Sequence, residues 1–208
     1  MRIDPAGWPF ILGALALALV GAFAVNTLAG VALLVLSGFF LFFFRDPDRV
    51  VTQAEKAVLS PADGRVMVAG ASASQEFAPD NWKQVSIFLS PMDVHVNRLP
   101  VSGRVTRVRY HPGRFLPAFR AEAGDLNEYT EVWIDHGGQT IVVRQIVGIL
   151  ARRIVCRTRE GEQVQAGDRF GVMKFGSRMD VFVPKDSEIT VKVGDQVVAA
   201  VTVIAKLP

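Results

Sequence analysis

The sequence predicts a mostly β (α+β) protein, in which a compact barrel-like or sandwich-like β domain follows an N-terminal hydrophobic helical hairpin. Three observations lead to this fold class. No charged side chain occurs from Pro5 to Phe44, whereas charges are frequent in the remainder of the 208 residues. After residue 50, apolar and polar residues alternate with a period of two, which is typical of half-buried strands. No long segment of this part has helical periodicity.

The charge-free block contains two apolar runs, Trp8–Val25 and Leu28–Phe44, which are separated by Asn26-Thr27. Each run is close to the minimum length that spans a hydrocarbon core of about 30 Å. One interpretation is a hairpin with both ends on the cytoplasmic side of the cell membrane. The other is a cleaved signal peptide, because Ala22-Phe23-Ala24 has the small-x-small form of a cleavage site.

Positive residues flank the block on both sides, at Arg2, Arg45 and Arg49, and this distribution favours the hairpin over secretion. Pro47 then ends the helical pattern. We therefore predict two domains: a membrane-associated hairpin and interface segment over residues 1–49, and a β-rich domain over residues 50–208.

The β-rich part shows many short strand-like segments, separated by turn residues. These segments are Val85–Leu89, Gly103–Tyr110, Glu131–Asp135, Gln139–Leu150, Val181–Val183, Ile189–Val193 and Val197–Ile204. The best helical candidate in this region is Gly113–Glu122.

Charge and composition restrict the function classes. The net charge is +3, and a mildly basic domain beside a bilayer suits an anionic lipid surface. The arginines are scattered without interleaved aromatic residues, so no nucleic-acid partner is expected. One cysteine and three dispersed histidines give no metal-ligand spacing, and we expect no metal.

Three residues could carry chemistry together. Gly176-Ser177 lies between two strand-like segments, and a serine hydroxyl can attack the carbonyl of the preceding residue when a base accepts its proton. Glycine on the acyl side permits unusual backbone angles. Of the histidines, His95 lies between apolar neighbours, whereas His111 and His136 fall in turns. Asp63 could orient a histidine base, although Asp-Gly is also an ordinary hairpin turn.

Six short motifs, in this order along the chain, resemble those of the short phosphatidylserine decarboxylase family. They are Phe43-Phe44-Arg45-Asp46-Pro47, Ser60-Pro61-Ala62-Asp63-Gly64, the stretch from His95 to Pro100-Val101-Ser102-Gly103, Tyr110-His111-Pro112-Gly113, Asn127-Glu128, and Phe175-Gly176-Ser177. No single motif is specific, but the ordered set covers essentially the whole chain. Arg178 stands where long forms of the family usually carry threonine, which leaves the lipid tail, diacyl or isoprenoid ether, undetermined.

The resemblance implies a pyruvoyl-dependent proenzyme that cuts itself between Gly176 and Ser177. Asp63, His95 and Ser177 match the catalytic triad of the family. Ser177 becomes the pyruvoyl cofactor of a small chain, 177–208, beside a large chain, 1–176, with no metal and no pyridoxal phosphate. The amine of phosphatidylserine condenses with the pyruvoyl group as a Schiff base, and carbon dioxide is lost to give phosphatidylethanolamine. The resemblance is also compatible with a homodimer.

Two other functions fit parts of the sequence. Val172-Met173-Lys174 is similar to the Met-Lys at which biotinyl or lipoyl carrier domains are modified, so Lys174 is an alternative functional residue. A membrane-anchored β domain with no activity is the second alternative. Only the decarboxylase hypothesis predicts that the chain is cut in two.

Overall fold

The structure is a computed structural model that describes residues 2–74, 76–77, 80–149, 154–174 and 176–208. Its chain divides into two compact units, Met1–Asp48 and Arg49–Pro208.

The N-terminal unit is a pair of apolar helices, α1 (Trp8–Ala24) and α2 (Thr27–Phe43), preceded by a 3-10 turn at Pro5–Gly7. A two-residue ribbon, β1 (Arg2–Ile3) with β2 (Arg45–Asp46), joins the ends of the pair. Asn26 begins α2, because its side chain accepts a hydrogen bond from the Ala29 N–H at 2.9 Å.

The two helices lie close together because small residues face each other. A Cβ at Gly30 would lie 2.5 Å from the Cβ of Ala22, far inside van der Waals contact. Pro5–Ala24 is long and apolar enough to cross a membrane, and Thr27–Phe43 is a shorter apolar helix. The predicted N-terminal pair of apolar helices is confirmed.

The second unit is built almost entirely from antiparallel strands. Its strands are β3 (Ala57–Leu59), β4 (Gly64–Ala71), β5 (Trp82–Leu89), β6 (Val96–Arg98), β7 (Gly103–His111), β8 (Tyr129–His136), β9 (Gln139–Ile146), β10 (Ile154–Cys156), β11 (Gln163–Val164), β12 (Arg169–Met173), β13 (Ser177–Pro184), β14 (Glu188–Ile189), β15 (Gln196–Val197) and β16 (Val203–Lys206).

The strands form one large and two small sheets. The large sheet has eight strands in the order β11-β7-β8-β9-β13-β5-β4-β15, and the small sheets are β10-β12-β6 and β14-β16-β3. Alternate residues such as Val85, Ile87 and Leu89 of β5 are buried in one continuous apolar core. The mostly β fold is therefore confirmed.

The helical prediction over Gly113–Glu122 is wrong. This segment is a loop, and the only helical turn nearby in the described chain is α3 (Ala123–Leu126). Pro117 cannot donate a helical backbone hydrogen bond, and the buried side chain of Asn127 hydrogen-bonds instead to the backbone of this segment. It accepts from the Leu116 N–H at 2.9 Å and donates to the Leu116 carbonyl at 2.8 Å.

Two neighbouring connections join the large sheet to the small sheet β10-β12-β6. One runs from β5 to β6 through Ser90–His95, and the other runs from β12 to β13 through residues 174–176. Ser177 pairs with Leu89 at one end, and the Met173 N–H donates to the His95 carbonyl at 3.3 Å at the other. The register of four strands thus brings the Gly176–Ser177 bond beside the segment that carries His95.

Candidate active site

The Gly176–Ser177 bond lies where a left-handed turn enters a buried strand. Gly176 has φ of +74°, a conformation that L side chains rarely adopt. Ser177 begins β13 and is completely buried. Its Oγ has no hydrogen-bond partner in the described part of the chain, although buried hydroxyls are normally paired. A buried hydroxyl that follows a glycine in the left-handed conformation is an arrangement compatible with an internal acyl shift.

His95 is also completely buried, and a backbone contact defines its tautomer. Its Nδ1 lies 3.0 Å from the carbonyl oxygen of Asp93. Because a carbonyl oxygen can only accept, this contact requires the proton on Nδ1 and makes Nε2 the basic nitrogen.

Asp93 builds the turn that holds His95 in place. Its carboxylate accepts from the Ser90 N–H at 2.8 Å, and its own N–H donates to the Ser90 carbonyl at 2.9 Å. This Asp93 contribution was not predicted from the sequence, where Asp63 was the expected orienting group.

The Asp63 carboxylate is held by other partners. Its Oδ2 accepts from Arg49 Nη2 at 2.6 Å, and its Oδ1 accepts from the Ala199 N–H at 2.8 Å. Burial raises the pKa of Asp63, while the Ala199 N–H and the Arg49 charge oppose that rise. The negative charge of Asp93 raises this pKa further, so Asp63 lies within electrostatic reach of the turn that carries His95.

Arg49 is a partner of Asp63 that the sequence did not indicate. Its side chain is only 18% exposed where it pairs with Asp63. From sequence it was placed with the membrane-interface segment, because charged residues after an apolar block usually mark that boundary. No local pattern indicates a partner 14 residues away, so only the folded chain shows the pair.

Arg178, which follows Ser177, is buried and already paired. Its guanidinium group donates to both carboxylate oxygens of Asp180, at 2.6 and 2.9 Å, and to Ser86 Oγ at 3.1 Å. The charge next to Ser177 is therefore neutralised within β13 and β5.

An apolar pocket of about 370 Å³ opens beside the same bond. Its walls are Phe88, Pro91, Pro117, Ala118, Phe119 and Ile149, and Gly176 contributes to its lining. Phe119 and Ile149 are 64% and 56% exposed, so the rim of the pocket is unusually apolar for a surface. A smaller pocket of about 170 Å³, near Lys56 and His136, contains none of the predicted catalytic residues.

The remaining histidines lie at opposite ends of the paired strands β7 and β8, where His111 ends β7 and His136 ends β8. His111 Nε2 is 3.8 Å from Glu131, and His136 Nδ1 is 2.6 Å from the Ser102 carbonyl. Among the residues that the structure describes, no group of three or more His, Cys, Asp or Glu side chains could hold a metal ion.

Lys174 does not have the setting of a carrier lysine. It lies in the connection from β12 to β13, which belong to different sheets, and it is partly buried. A modified lysine would be presented at the tip of a tight hairpin, and the comparisons below give the carrier alternative no support.

Comparison with known proteins identifies the family. The sequence profile described as "Phosphatidylserine decarboxylase" matches residues 36–205. The chain is 44% identical over 203 residues to a protein of Symbiobacterium thermophilum named "Phosphatidylserine decarboxylase proenzyme", covering 97% of this chain and 94% of the relative. Proteins of the same name from Nitrosomonas europaea and Chlorobium limicola are 43% and 41% identical, over 96% and 98% of this chain and 93% and 99% of theirs. The chain therefore belongs to the phosphatidylserine decarboxylase family.

Proposed function

We infer that this protein decarboxylates phosphatidylserine to phosphatidylethanolamine, and that it does so as a zymogen whose Ser177 becomes a pyruvoyl group. The observation that carries the second part is the buried Ser177 Oγ, which lacks a hydrogen-bond partner in the described chain and follows a glycine with φ of +74°. The decarboxylation of phosphatidylserine is supported by the membership of this chain in the phosphatidylserine decarboxylase family.

Self-cleavage would begin with attack of Ser177 Oγ on the carbonyl carbon of Gly176. The hydroxyl proton passes to a base, the C–N bond breaks, and the Ser177 nitrogen takes up a proton, which leaves an ester. Removal of the Ser177 Cα proton then expels the Gly176 carboxylate and leaves a dehydroalanine. Its imine tautomer reacts with water, releases ammonia and yields the pyruvoyl group at the start of chain 177–208, beside chain 1–176.

His95 is the residue best suited to move these protons. The Asp93 carbonyl directs its basic Nε2 away from the turn, and the strand register brings His95 and Ser177 into neighbouring segments. Asp63 adds a negative charge near the same turn, which would stabilise the imidazolium that forms when His95 accepts a proton.

Once formed, the pyruvoyl group supplies the electron-withdrawing carbonyl that makes loss of carbon dioxide from a serine headgroup feasible. The chain itself would bind and orient the lipid. The apolar pocket at Gly176 can accept the first methylene groups of a tail, and its exposed aromatic rim would remain within the bilayer interface.

The apolar helices would also bring the enzyme to its lipid substrate. The apolar helical pair would keep the enzyme at the cytoplasmic side of the cell membrane, with residues 1–49 as anchor and residues 50–208 as catalytic domain. A two-tailed lipid leaves a bilayer only at high cost, so an anchored enzyme meets its substrate more readily than a soluble one.

The reaction can be tested on the purified full chain in detergent micelles that contain phosphatidylserine. We expect release of carbon dioxide and formation of phosphatidylethanolamine in equal amounts, and neither product from Ser177→Ala. Resistance of free serine to the enzyme would indicate recognition of the lipid. Absence of phosphatidylethanolamine from a fully cleaved wild-type sample would contradict the proposed substrate.

A further inference from the structure

Gly148 lies in direct contact with the carbonyl group that self-cleavage would attack. It follows β9 and is buried. A Cβ at this position would lie 2.2 Å from the carbonyl oxygen of Gly176 and 3.2 Å from its carbonyl carbon. An ordinary Cβ contact begins near 3.4 Å, so any side chain at Gly148 must displace the Gly176 carbonyl by about 1 Å.

The backbone before Gly148 is fixed by a buried amide. Asn127, which is 1% exposed, donates from Nδ2 to the Val147 carbonyl at 2.8 Å and to the Leu116 carbonyl at 2.8 Å. The Val147 N–H donates to the Glu128 carbonyl at 3.1 Å. Both backbone polar groups of Val147 are thus hydrogen-bonded, which fixes the chain on the N-terminal side of Gly148.

The other side of Gly176 faces open space. A Cβ at Gly176 itself would meet no atom of the described residues within 4 Å. Gly148 is therefore the described residue against which the Gly176 carbonyl packs, whereas Ser177 on the other side of the bond is paired with Leu89. An attacking hydroxyl needs a fixed carbonyl orientation, and a misplacement of about 1 Å can lower a reaction rate about 100-fold.

We propose that Gly148, fixed by Asn127, is a positioning residue for self-cleavage, because it orients the Gly176 carbonyl for attack by Ser177 Oγ. This proposal rests on the proposed self-cleavage. Gly148 has no side chain that could exchange a proton, so its role is to position the Gly176 carbonyl by packing against it.

The test compares Gly148→Ala with a matched control, Gly103→Ala. A Cβ at Gly103 would lie 2.2 Å from the carbonyl oxygen of Asp135, so both variants create a clash with a backbone carbonyl. Gly103 also has φ of +155°, so Gly103→Ala adds backbone strain and is the more disruptive of the two changes. Gly103 begins β7, whose far end pairs with Tyr129 of β8, which in turn pairs with Ile146 beside Gly148. The two glycines therefore lie at opposite ends of the large sheet.

Full-length precursors are made in detergent, and cleavage is followed by intact mass at a temperature well below the melting temperature of each variant. We expect Gly148→Ala to cleave about 100-fold more slowly than wild type, and Gly103→Ala to cleave at the wild-type rate. Equal rates for Gly148→Ala and wild type would overturn this inference alone. An uncut wild-type chain would instead overturn the self-cleavage on which it rests.

A second measurement separates attack from elimination. Neutral hydroxylamine cuts esters, so it should speed cleavage of the wild-type precursor strongly and that of Gly148→Ala far less, because the ester forms about 100-fold more slowly in the variant. A wild-type level of hydroxylamine-sensitive ester in Gly148→Ala would overturn the proposal. If Gly148→Ala does not fold, Asn127→Ala replaces it, since it keeps Gly148 but releases the Val147 carbonyl. An unchanged rate in folded Asn127→Ala would contradict the inference equally.

Discussion

The ion pair between Arg49 and Asp63 gives the sharpest quantitative prediction about the site. The Nη2–Oδ2 distance is 2.6 Å, and the side chains are 18% and 15% exposed. Replacing Arg49 with methionine keeps an unbranched apolar stem but removes the charged guanidinium group. Asp63 retains its bond from the Ala199 N–H, and its carboxylate then lies in a desolvated position without a cation.

The expected magnitude lies between two known limits. Exposed ion pairs contribute about 0.2–1 kcal/mol, and removing one partner of a fully buried pair costs about 3–5 kcal/mol. Because this pair is mostly but not completely buried, we expect Arg49→Met to lower the free energy of unfolding by about 2 kcal/mol at neutral pH. In a double-mutant cycle with Asp63→Asn, most of that loss should appear as coupling energy.

The pH dependence has a definite sign. Burial raises the pKa of Asp63 above its usual value of 3.8, and removal of Arg49 raises it further. The folded state then binds more protons than the unfolded state between 3.8 and the raised folded pKa, so stability falls as pH rises through that window. The destabilisation by Arg49→Met should therefore be complete at neutral pH and should shrink in acid, as Asp63 becomes protonated.

Urea unfolding in detergent measures these quantities, with Ser177→Ala as the background so that the chain stays intact. Fluorescence of Trp82 and Trp133 reports on the β domain, because both pack against Phe77. A coupling energy below about 0.5 kcal/mol, within the range of simple additivity, would refute the claim that Arg49 holds Asp63.

Three further predictions follow from individual contacts. Arg144 is fully buried and donates to Glu131 at 2.6 and 3.0 Å, so Arg144→Met should lower the free energy of unfolding, measured in urea, by about 3–5 kcal/mol. Adding Glu131→Gln should recover part of that loss, and strictly additive effects in the double variant would contradict the pairing. Phe119→Ser at the pocket rim should raise KM for phosphatidylserine and leave self-cleavage unchanged, whereas a slower cleavage would show that the pocket wall also supports the bond. Gly176→Ala should lower the free energy of unfolding by about 1–2 kcal/mol, because φ of +74° is strained for alanine, and an unchanged melting temperature would argue against that turn.

The sequence was informative where one physical rule dominates a segment. Forty residues without charge form two apolar runs separated by Asn26-Thr27, and the lengths of these runs together with the flanking arginines predicted the helical pair. Alternation along segments such as Glu131–Asp135 likewise indicated strands, because only one face of each strand is buried. Gly113–Glu122 was predicted wrongly, since its backbone partners come from Asn127, and a side-chain contact of this kind leaves no periodic signal.

The site was only partly predictable for a related reason. Gly176-Ser177 and His95 were identified from residue type and from a family resemblance, but 82 positions separate His95 from Ser177 in the chain. Their proximity depends on the register of β5 with β13 and of β6 with β12. The contact of Gly148 with Gly176 depends on the pairing of β9 with β13, and the Arg49–Asp63 pair joins the segment before β3 to the turn before β4. No local pattern could have revealed either contact.

The most direct test of the central claim is the intact mass of the purified protein under denaturing conditions, with Ser177→Ala measured beside it. We predict two wild-type fragments, 1–176 and 177–208, the smaller one blocked to N-terminal sequencing and reactive toward hydroxylamine, while Ser177→Ala stays whole. A folded wild-type chain that remains in one piece over days would contradict the account, because the pyruvoyl group could then not form at Ser177.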